Sequence, residues 1–197
     1  MKRAGRVYLE PGSLKLIRNA LFKRKRELGG ALEYHPATRQ FRATKLRLGH
    51  YDSVQIPKGR VDFHTHPVIC KNQNRCALEV PSAFDIAYLF DNQAFGINRF
   101  HFVFTRMGTY RIRLLHRARK AAQLAAQSNP AFRTQVRVRL LRMFGKRYVA
   151  FNKVYPKPGL TLKSFRATWC ALMRQVGFEV KLFVHPQQPY LPLRARL

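Results

Sequence analysis

The chain has 197 residues, of which 46% are hydrophobic and 12% aromatic, so it is long and apolar enough for a cored globular domain rather than a disordered segment. Lys and Arg total 38 against nine Asp and Glu, which gives a formal charge of +29. A surface of this kind predicts a polyanionic partner. Nucleic acid is the commonest such partner; an anionic membrane surface and an acidic protein are the alternatives.

Cysteine usage and apolar runs exclude several other classes. Cys70, Cys76 and Cys170 are too few for a disulfide framework. The first residues carry charge without the apolar stretch of a secretory signal, and no apolar run is long enough to span a bilayer. We therefore expect an intracellular protein of the cytoplasm or nucleus, with packaging in a virion as a further option.

The first half of the chain predicts short strands around two helices. In order, these are a strand at 7–10, a helix from an N-cap at Ser13 to about residue 24, paired strands at 28–34 and 40–48, a strand at 61–66, and a helix from Pro81-Ser82 to about residue 92.

The second half predicts a hairpin of strands at 99–106 and 109–115, helices at 116–127, 131–144 and 162–175, and a last strand at 178–184. No acidic residue occurs between Asp91 and Glu179. The helix at 131–144 combines an apolar stripe with flanking cations. Its cations, and two just beyond it, are the candidate nucleic-acid-binding residues: Arg133, Arg137, Arg139, Arg142, Lys146 and Arg147. A merely solvated Arg-rich face is the alternative.

Two short motifs predict a metal site. Residues two apart on a strand point the same way, so His64 and His66 can present two imidazoles to one ion. Asp85 lies three residues after Ser82, near the first turn of the following helix, and can supply a third ligand. Three protein ligands and an open fourth position are typical of catalytic zinc. The alternatives are a chance His-x-His and a simple capping sequence from Ser82 to Asp85.

A carboxylate upstream completes a longer pattern. Taken together, the segments resemble the JAMM/MPN+ family of zinc metalloproteases, whose pattern is Glu-x-x-Gly-x-Leu, then His-x-His-Pro, then Ser-x-x-Asp. The resemblance covers about residues 5–115. The matching positions are Glu27, Gly30, Leu32, His64, His66, Pro67, Ser82 and Asp85.

This resemblance implies an α/β fold of the JAMM/MPN type, a cytidine-deaminase-like mixed sheet flanked by helices. We assign residues 1–118 to that core and 119–197 to a basic, mainly helical C-terminal region that can pack on it. Family members often pair with another MPN-type domain, which is a possible partner here.

The resemblance also implies roles. Zn²⁺ on His64, His66 and Asp85 would activate water, Glu27 would move its proton, and Ser82 would stabilise the oxyanion. The predicted activity is hydrolysis of an amide or isopeptide bond in a protein substrate, such as a ubiquitin-like conjugate. Glu33 is the competing carboxylate. The alternative function is a non-catalytic, basic, nucleic-acid-binding structural protein of the virion-core kind.

The chain departs from the family in the fifteen residues between His66 and Ser82, a longer stretch than the family usually has. It contains Cys70 and Cys76, which could pair, bind a second metal or simply pack as thiols. Thr65, between the two histidines, is a further candidate for support of the site. The remaining histidines, His101 among them, are predicted to be ordinary surface or core residues, and Trp169 a core residue.

Overall fold

The computed structural model describes residues 8–23, 26–50, 53–67, 80–105, 108–154 and 162–184. In chain order the elements are β1 (Tyr8–Leu9), α1 (Pro11–Phe22), β2 (Leu28–His35), β3 (Gln40–Leu48), β4 (Val61–Thr65), α2 (Ala83–Phe95), β5 (Phe100–Phe104), β6 (Gly108–Leu114), α3 (His116–Ser128), α4 (Phe132–Val154), α5 (Leu162–Gln175) and β7 (Phe178–Val184).

The strands form one mixed sheet in the order β1-β3-β2-β4-β5-β6-β7. Strands β4 and β5 run parallel and are joined through α2, whereas β2 pairs antiparallel with both β3 and β4. A parallel pair needs a crossover connection, and α2 supplies it. The predicted mixed sheet flanked by helices is therefore confirmed.

Alternation along β4 and β5 divides the core between the two faces of the sheet. Phe63, Phe102 and Phe104 pack in a cluster with α1, and all three are buried. On the opposite face, Val103 belongs to a second cluster that contains buried residues of α2, α3, α4 and α5. Side chains of even number on β4 lie on this second face, under α2.

The C-terminal elements share this second cluster. Strand β7 pairs along the whole of β6, and Phe144 of α4 meets Trp169 of α5 edge to face, with ring centroids 5.0 Å apart. Trp169 is buried, so its predicted place in the core is confirmed. Residues before and after position 118, the expected boundary between the core and the C-terminal region, thus form one apolar cluster.

Two predicted helix bounds were wrong. Helix α1 begins at Pro11, which suits the first helical position because its missing N–H would have no partner there. Ser13 is therefore not the N-cap: it lies inside the first turn, where its Oγ accepts a hydrogen bond of 2.8 Å from the Ala43 N–H. Helix α4 continues past residue 144 to Val154. None of the helices in the described part of the chain combines the length and the apolar sequence that a membrane span requires.

Candidate metal centre

The two histidines of the His-x-His motif lie on the α2 face of the sheet. His64 is on β4, and the His66 N–H donates to the Phe104 carbonyl at 2.8 Å, which prolongs the pairing of β4 with β5. Both rings therefore point the same way, with centroids 4.7 Å apart and their Nε2 atoms 2.8 Å apart.

The N-terminus of α2 brings the third group. Ser82 is the N-cap and forms a capping box: its Oγ accepts from the Asp85 N–H at 3.1 Å, and its own N–H donates to Asp85 Oδ2 at 2.6 Å. The capping interpretation and the metal interpretation are therefore compatible, because the cap is what orients the carboxylate. An accepting hydroxyl keeps its own proton to donate, so Ser82 remains available as a donor.

His64, His66 and Asp85 converge and could hold a metal ion. Asp85 Oδ1 is 3.4 Å from His64 Nε2, and Asp85 Oδ2 is 3.3 Å from His66 Nε2. Ligands of a tetrahedral zinc ion are about 3.3 Å apart when each bond is about 2.0–2.1 Å. The two nitrogen–oxygen distances fit this value, and the two imidazoles would need to separate by about 0.5 Å.

Glu27 lies beside this group through the pairing of β2 with β4. Gly29 pairs with His64, so Glu27, two residues before Gly29, comes near His66, two residues after His64. Glu27 is 7% exposed, and its Oε1 is 3.8 Å from His66 Nε2. The Thr65 hydroxyl accepts the neighbouring Leu28 N–H at 2.9 Å, which fastens the chain next to Glu27.

The packing around Gly30 shows why the motif has a glycine at this position. A Cβ there would lie 2.7 Å from the ring of Phe63 and 3.0 Å from the Thr44 carbonyl oxygen. Any side chain would push Phe63 out of its packed position or separate β2 from β3. Glycine thus lets β2 lie close against β4 at the point where the site is formed.

Burial and neighbouring charges act in opposite directions on the pKa of each ionisable group of the site. Burial lowers the pKa of His64 to about 4, despite the nearby Asp85 carboxylate. Burial also acts to lower the pKa of His66, but Asp85 and Glu27 outweigh it and the pKa is raised. Burial would raise the pKa of Asp85, yet His64 and His66 hold it well below its usual value. At neutral pH, His64 therefore offers a neutral nitrogen and Asp85 an anionic oxygen to a cation.

His101 is a site residue that the sequence interpretation missed. Its Nε2 is 2.7 Å from His64 Nδ1, and its Nδ1 is 2.5 Å from Asp62 Oδ1. Asp62, His64 and His101 are all buried. His101 is thus not an ordinary core histidine. The available signal was the spacing of Asp62 and His64 on one strand face, but the register of β5 beside β4 was needed to find their partner.

Other predicted candidates lie elsewhere. Cys70 and Cys76 are outside the described residues. Cys170 is buried, and burial raises the pKa of its thiol, which favours the packed thiol over the thiolate. Glu33 is exposed and lies six residues along the chain from Glu27, about 20 Å for an extended strand. That distance leaves Glu27 as the carboxylate at the site.

The cations proposed for nucleic-acid binding differ among themselves. Arg133 makes a two-bond ion pair with Asp91, at 2.9 and 2.8 Å, and its guanidinium lies over the Phe95 ring. Helix α4 itself contains no acidic residue. Five further cations on it are exposed: Arg137, Arg139, Arg142, Lys146 and Arg147. Arg133 is thus already neutralised within the protein.

Comparisons with known proteins add no identification. The chain matches no family model and no curated protein sequence. The site geometry and the motif therefore carry the functional interpretation by themselves.

Proposed function

We propose that the chain is a zinc-dependent hydrolase of amide or isopeptide bonds in a protein substrate, with a site of the JAMM/MPN+ type. One observation carries the proposal. Two imidazole nitrogens and the Asp85 carboxylate converge, and the Glu27 carboxylate lies beside them without belonging to the ligand group.

The donor set suits zinc among the common metal ions. Two neutral imidazoles and one carboxylate match the His₂-carboxylate ligand sets of zinc peptidases, whereas magnesium and calcium sites are built mainly from oxygen. A bound zinc ion would supply a water of lowered pKa and a Lewis acid for the scissile carbonyl.

The protein's own groups have separate tasks. Glu27 Oε1 accepts the proton of the attacking water and then donates it to the leaving amine. The Ser82 hydroxyl donates to the developing oxyanion while its oxygen keeps the cap on α2. The Thr65 bond to Leu28 maintains the position of Glu27.

Metal content and activity test the proposal together. Purified protein should contain about one zinc per chain, as expected for a mononuclear site, and His64→Ala should lose it. Isopeptide-linked ubiquitin dimers and quenched peptides are the probes for cleavage. Glu27→Gln should keep the metal but lose at least about 100-fold in activity, whereas the control Glu33→Gln should leave both unchanged. Protein that binds no zinc would remove the proposal.

We propose nucleic-acid binding as a second function, compatible with the first. Its support is the group of exposed cations on α4, a helix without a carboxylate: Arg137, Arg139, Arg142, Lys146 and Arg147. Arg139, Arg142 and Lys146 share one face of this helix. Burial of such a face against another part of this chain would be costly, whereas phosphates would neutralise it.

Salt dependence tests this second function. Changing Arg137, Arg139 and Arg142 together to Gln should reduce the slope of log affinity for duplex DNA against log salt by about 2.7, since each phosphate contact contributes about 0.9. The matched control changes Lys15, Arg18 and Arg47, which are exposed on α1 and β3. Equal losses in both triple variants would mean that binding is diffuse and not localised to α4.

A further inference from the structure

A buried chain of hydrogen bonds leads away from the candidate metal ligands. In the parallel pairing of β4 with β5, Asp62 lies directly opposite His101, and His64 is two residues further along the same face. The resulting contacts are 2.5 Å from Asp62 Oδ1 to His101 Nδ1 and 2.7 Å from His101 Nε2 to His64 Nδ1. The exposed fractions of all three residues are 1% or less.

Proton positions along this chain follow from the chemistry of its end. An ionised carboxylate only accepts hydrogen bonds, so the proton between Asp62 and His101 lies on His101 Nδ1. With its single proton on Nδ1, the His101 ring has an unprotonated Nε2, which can only accept. The proton between the two imidazoles must therefore lie on His64 Nδ1, and His64 Nε2 is left with its lone pair free.

We propose that His101 and Asp62 are positioning residues that hold His64 in its Nδ1–H tautomer, with Nε2 directed at the metal. The functional meaning of this inference rests on the proposed zinc site, whereas the tautomer is a property of the metal-free chain. Hydrogen bonds from a metal-binding histidine to a carboxylate commonly fix the ring and raise its basicity. Here a second imidazole lies between the ligand and the carboxylate.

The hydrogen bond on the other side of His64 agrees with this direction. His64 Nε2 lies 2.8 Å from His66 Nε2, closer than its 3.4 Å separation from Asp85 Oδ1. With a free lone pair, His64 Nε2 accepts a hydrogen bond from His66 Nε2–H, and every hydrogen bond in the row then points towards Asp62. The competing arrangement is a doubly protonated His101 that donates to His64 Nδ1. It would place the proton on His64 Nε2, where a metal must bind.

Nuclear magnetic resonance distinguishes the two arrangements directly. The full chain, labelled with ¹⁵N-histidine and freed of metal, is observed at neutral pH through long-range proton–nitrogen correlations. We expect His64 as the Nδ1–H tautomer and His101 as a neutral ring. A charged His101 or an Nε2–H tautomer of His64 would overturn the proposal, whether or not the chain binds zinc.

A matched pair of variants tests the effect on metal binding. His101→Phe keeps a ring of similar size but removes the acceptor, and should weaken zinc affinity about 10- to 100-fold. His101→Gln offers an amide oxygen to His64 Nδ1 and should retain more of the affinity. The control is His35→Gln, on the exposed end of β2, which should change nothing.

Competition with a chromogenic chelator measures these affinities, with zinc alone as the ligand. Equal losses in His101→Phe and His101→Gln would show that the side chain only fills space, and would overturn the positioning role. A wild-type chain without zinc affinity would instead remove the proposed enzymatic function, and the tautomer measurement would still decide this inference. If His101→Phe fails to fold, the tautomer of the wild-type chain decides alone.

Discussion

The region around the candidate metal centre and the region around α4 hold their charges in opposite ways. At the centre, Asp62, His64, His101 and Asp85 are buried or nearly so, and each contacts another member of the group. On α4 the cations are exposed on a helix without an acidic residue. Buried charge requires a partner within the protein, whereas exposed charge remains available to an external one.

The two regions are nevertheless one structure. The Trp169 indole N–H of α5 donates to the Pro81 carbonyl at 3.1 Å, immediately before the N-cap Ser82. The basic C-terminal region, which contains α4 and α5, therefore supports the N-terminal end of α2 that carries Asp85. This contact makes the comparison testable, because changes in one region should be detectable in the other.

The largest effect should come from separating the regions. A chain that ends at residue 118 loses β7 from the edge of β6 and uncovers Ile86, Leu89 and Tyr110 of the second cluster. Each such side chain contributes about 1.5–3 kcal/mol by burial, against a total stability of about 5–15 kcal/mol. We expect no cooperative unfolding transition in circular dichroism. A chain that ends at 184 is the control, and a folded 1–118 chain would contradict the shared core.

The pH dependence of stability should be large at the centre of the metal-free protein. The pKa of His64 is about 4 in the folded state against 6.5 for a free histidine, so the unfolded chain binds more protons between these values. Stability should therefore fall as the pH drops from 6.5 towards 4, by on the order of 3 kcal/mol. The pKa of His66 is raised in the folded state, so its protonated ring stabilises the folded protein below pH 6.5. That contribution is lost as the pH rises through the folded-state pKa of His66.

Urea unfolding in the presence of a chelator measures this dependence. The two histidines together predict a maximum of stability near pH 6.5. In His64→Gln, the loss of unfolding free energy between pH 6.5 and pH 4 should be much smaller. If that variant loses as much stability in acid as the wild type, groups other than His64 cause the loss.

Glu179 tests the basic region in the same way. It forms ion pairs with Arg111, Arg113 and Lys181, and the Arg111 side chain is only 6% exposed. Glu179→Gln removes the carboxylate from the partly buried ion pair with Arg111 and should cost about 1–3 kcal/mol at pH 7. The control Glu33→Gln, at an exposed position on β2, should cost much less.

The pH profile identifies the cause of that loss. Burial alone would raise the pKa of Glu179, but Arg113, Arg111 and Lys181 lower it. The ionised Glu179 therefore stabilises the folded protein at pH values above its ordinary pKa of 4.5. This stabilisation is lost as the pH falls through its lowered folded-state pKa. The difference in unfolding free energy between wild type and Glu179→Gln should therefore shrink in acid. A constant difference would indicate packing instead of charge.

Trp169→Phe should have a smaller effect that crosses between the regions. The variant keeps an aromatic ring but leaves the Pro81 carbonyl without its donor, which should cost about 1 kcal/mol. Because Pro81 precedes the cap of α2, zinc affinity should fall as well. Phe165→Leu, beside Trp169 in α5, should lower stability without changing zinc affinity. Equal affinities in all three proteins would mean that the two regions are not coupled at this point.

The smallest effect is expected on α4. Arg133→Gln breaks an exposed ion pair with Asp91 and should change stability by about 0–1 kcal/mol. Asp91 already neutralises Arg133, so DNA affinity should fall less than in Arg142→Gln, which should reduce the salt slope by about 0.9. Affinity measured over a salt series checks both. Equal slopes would mean that the internal ion pair gives way to phosphate.

Local patterns predicted most of the helices and strands and the candidate metal-binding group. The helix at 162–175 and the strand at 178–184 have the predicted bounds, because their periodicity ends at clear breakers. Helix α1 was placed wrongly at its start, since a serine before an apolar stripe resembles a cap whether or not its hydroxyl is used elsewhere. Ser13 bonds to Ala43, thirty residues away, and no local rule contains that contact.

The sequence by itself determined which side chains could share a face: His64 with His66 by strand alternation, and Ser82 with Asp85 by the geometry of a first helical turn. Only the tertiary structure decided which faces meet. The β2–β4 pairing brought Glu27 near His66, the β4–β5 register set His101 between Asp62 and His64, and the shared core set Trp169 against Pro81. Register depends on packing over the whole sheet, and the local spacing within a motif does not fix it.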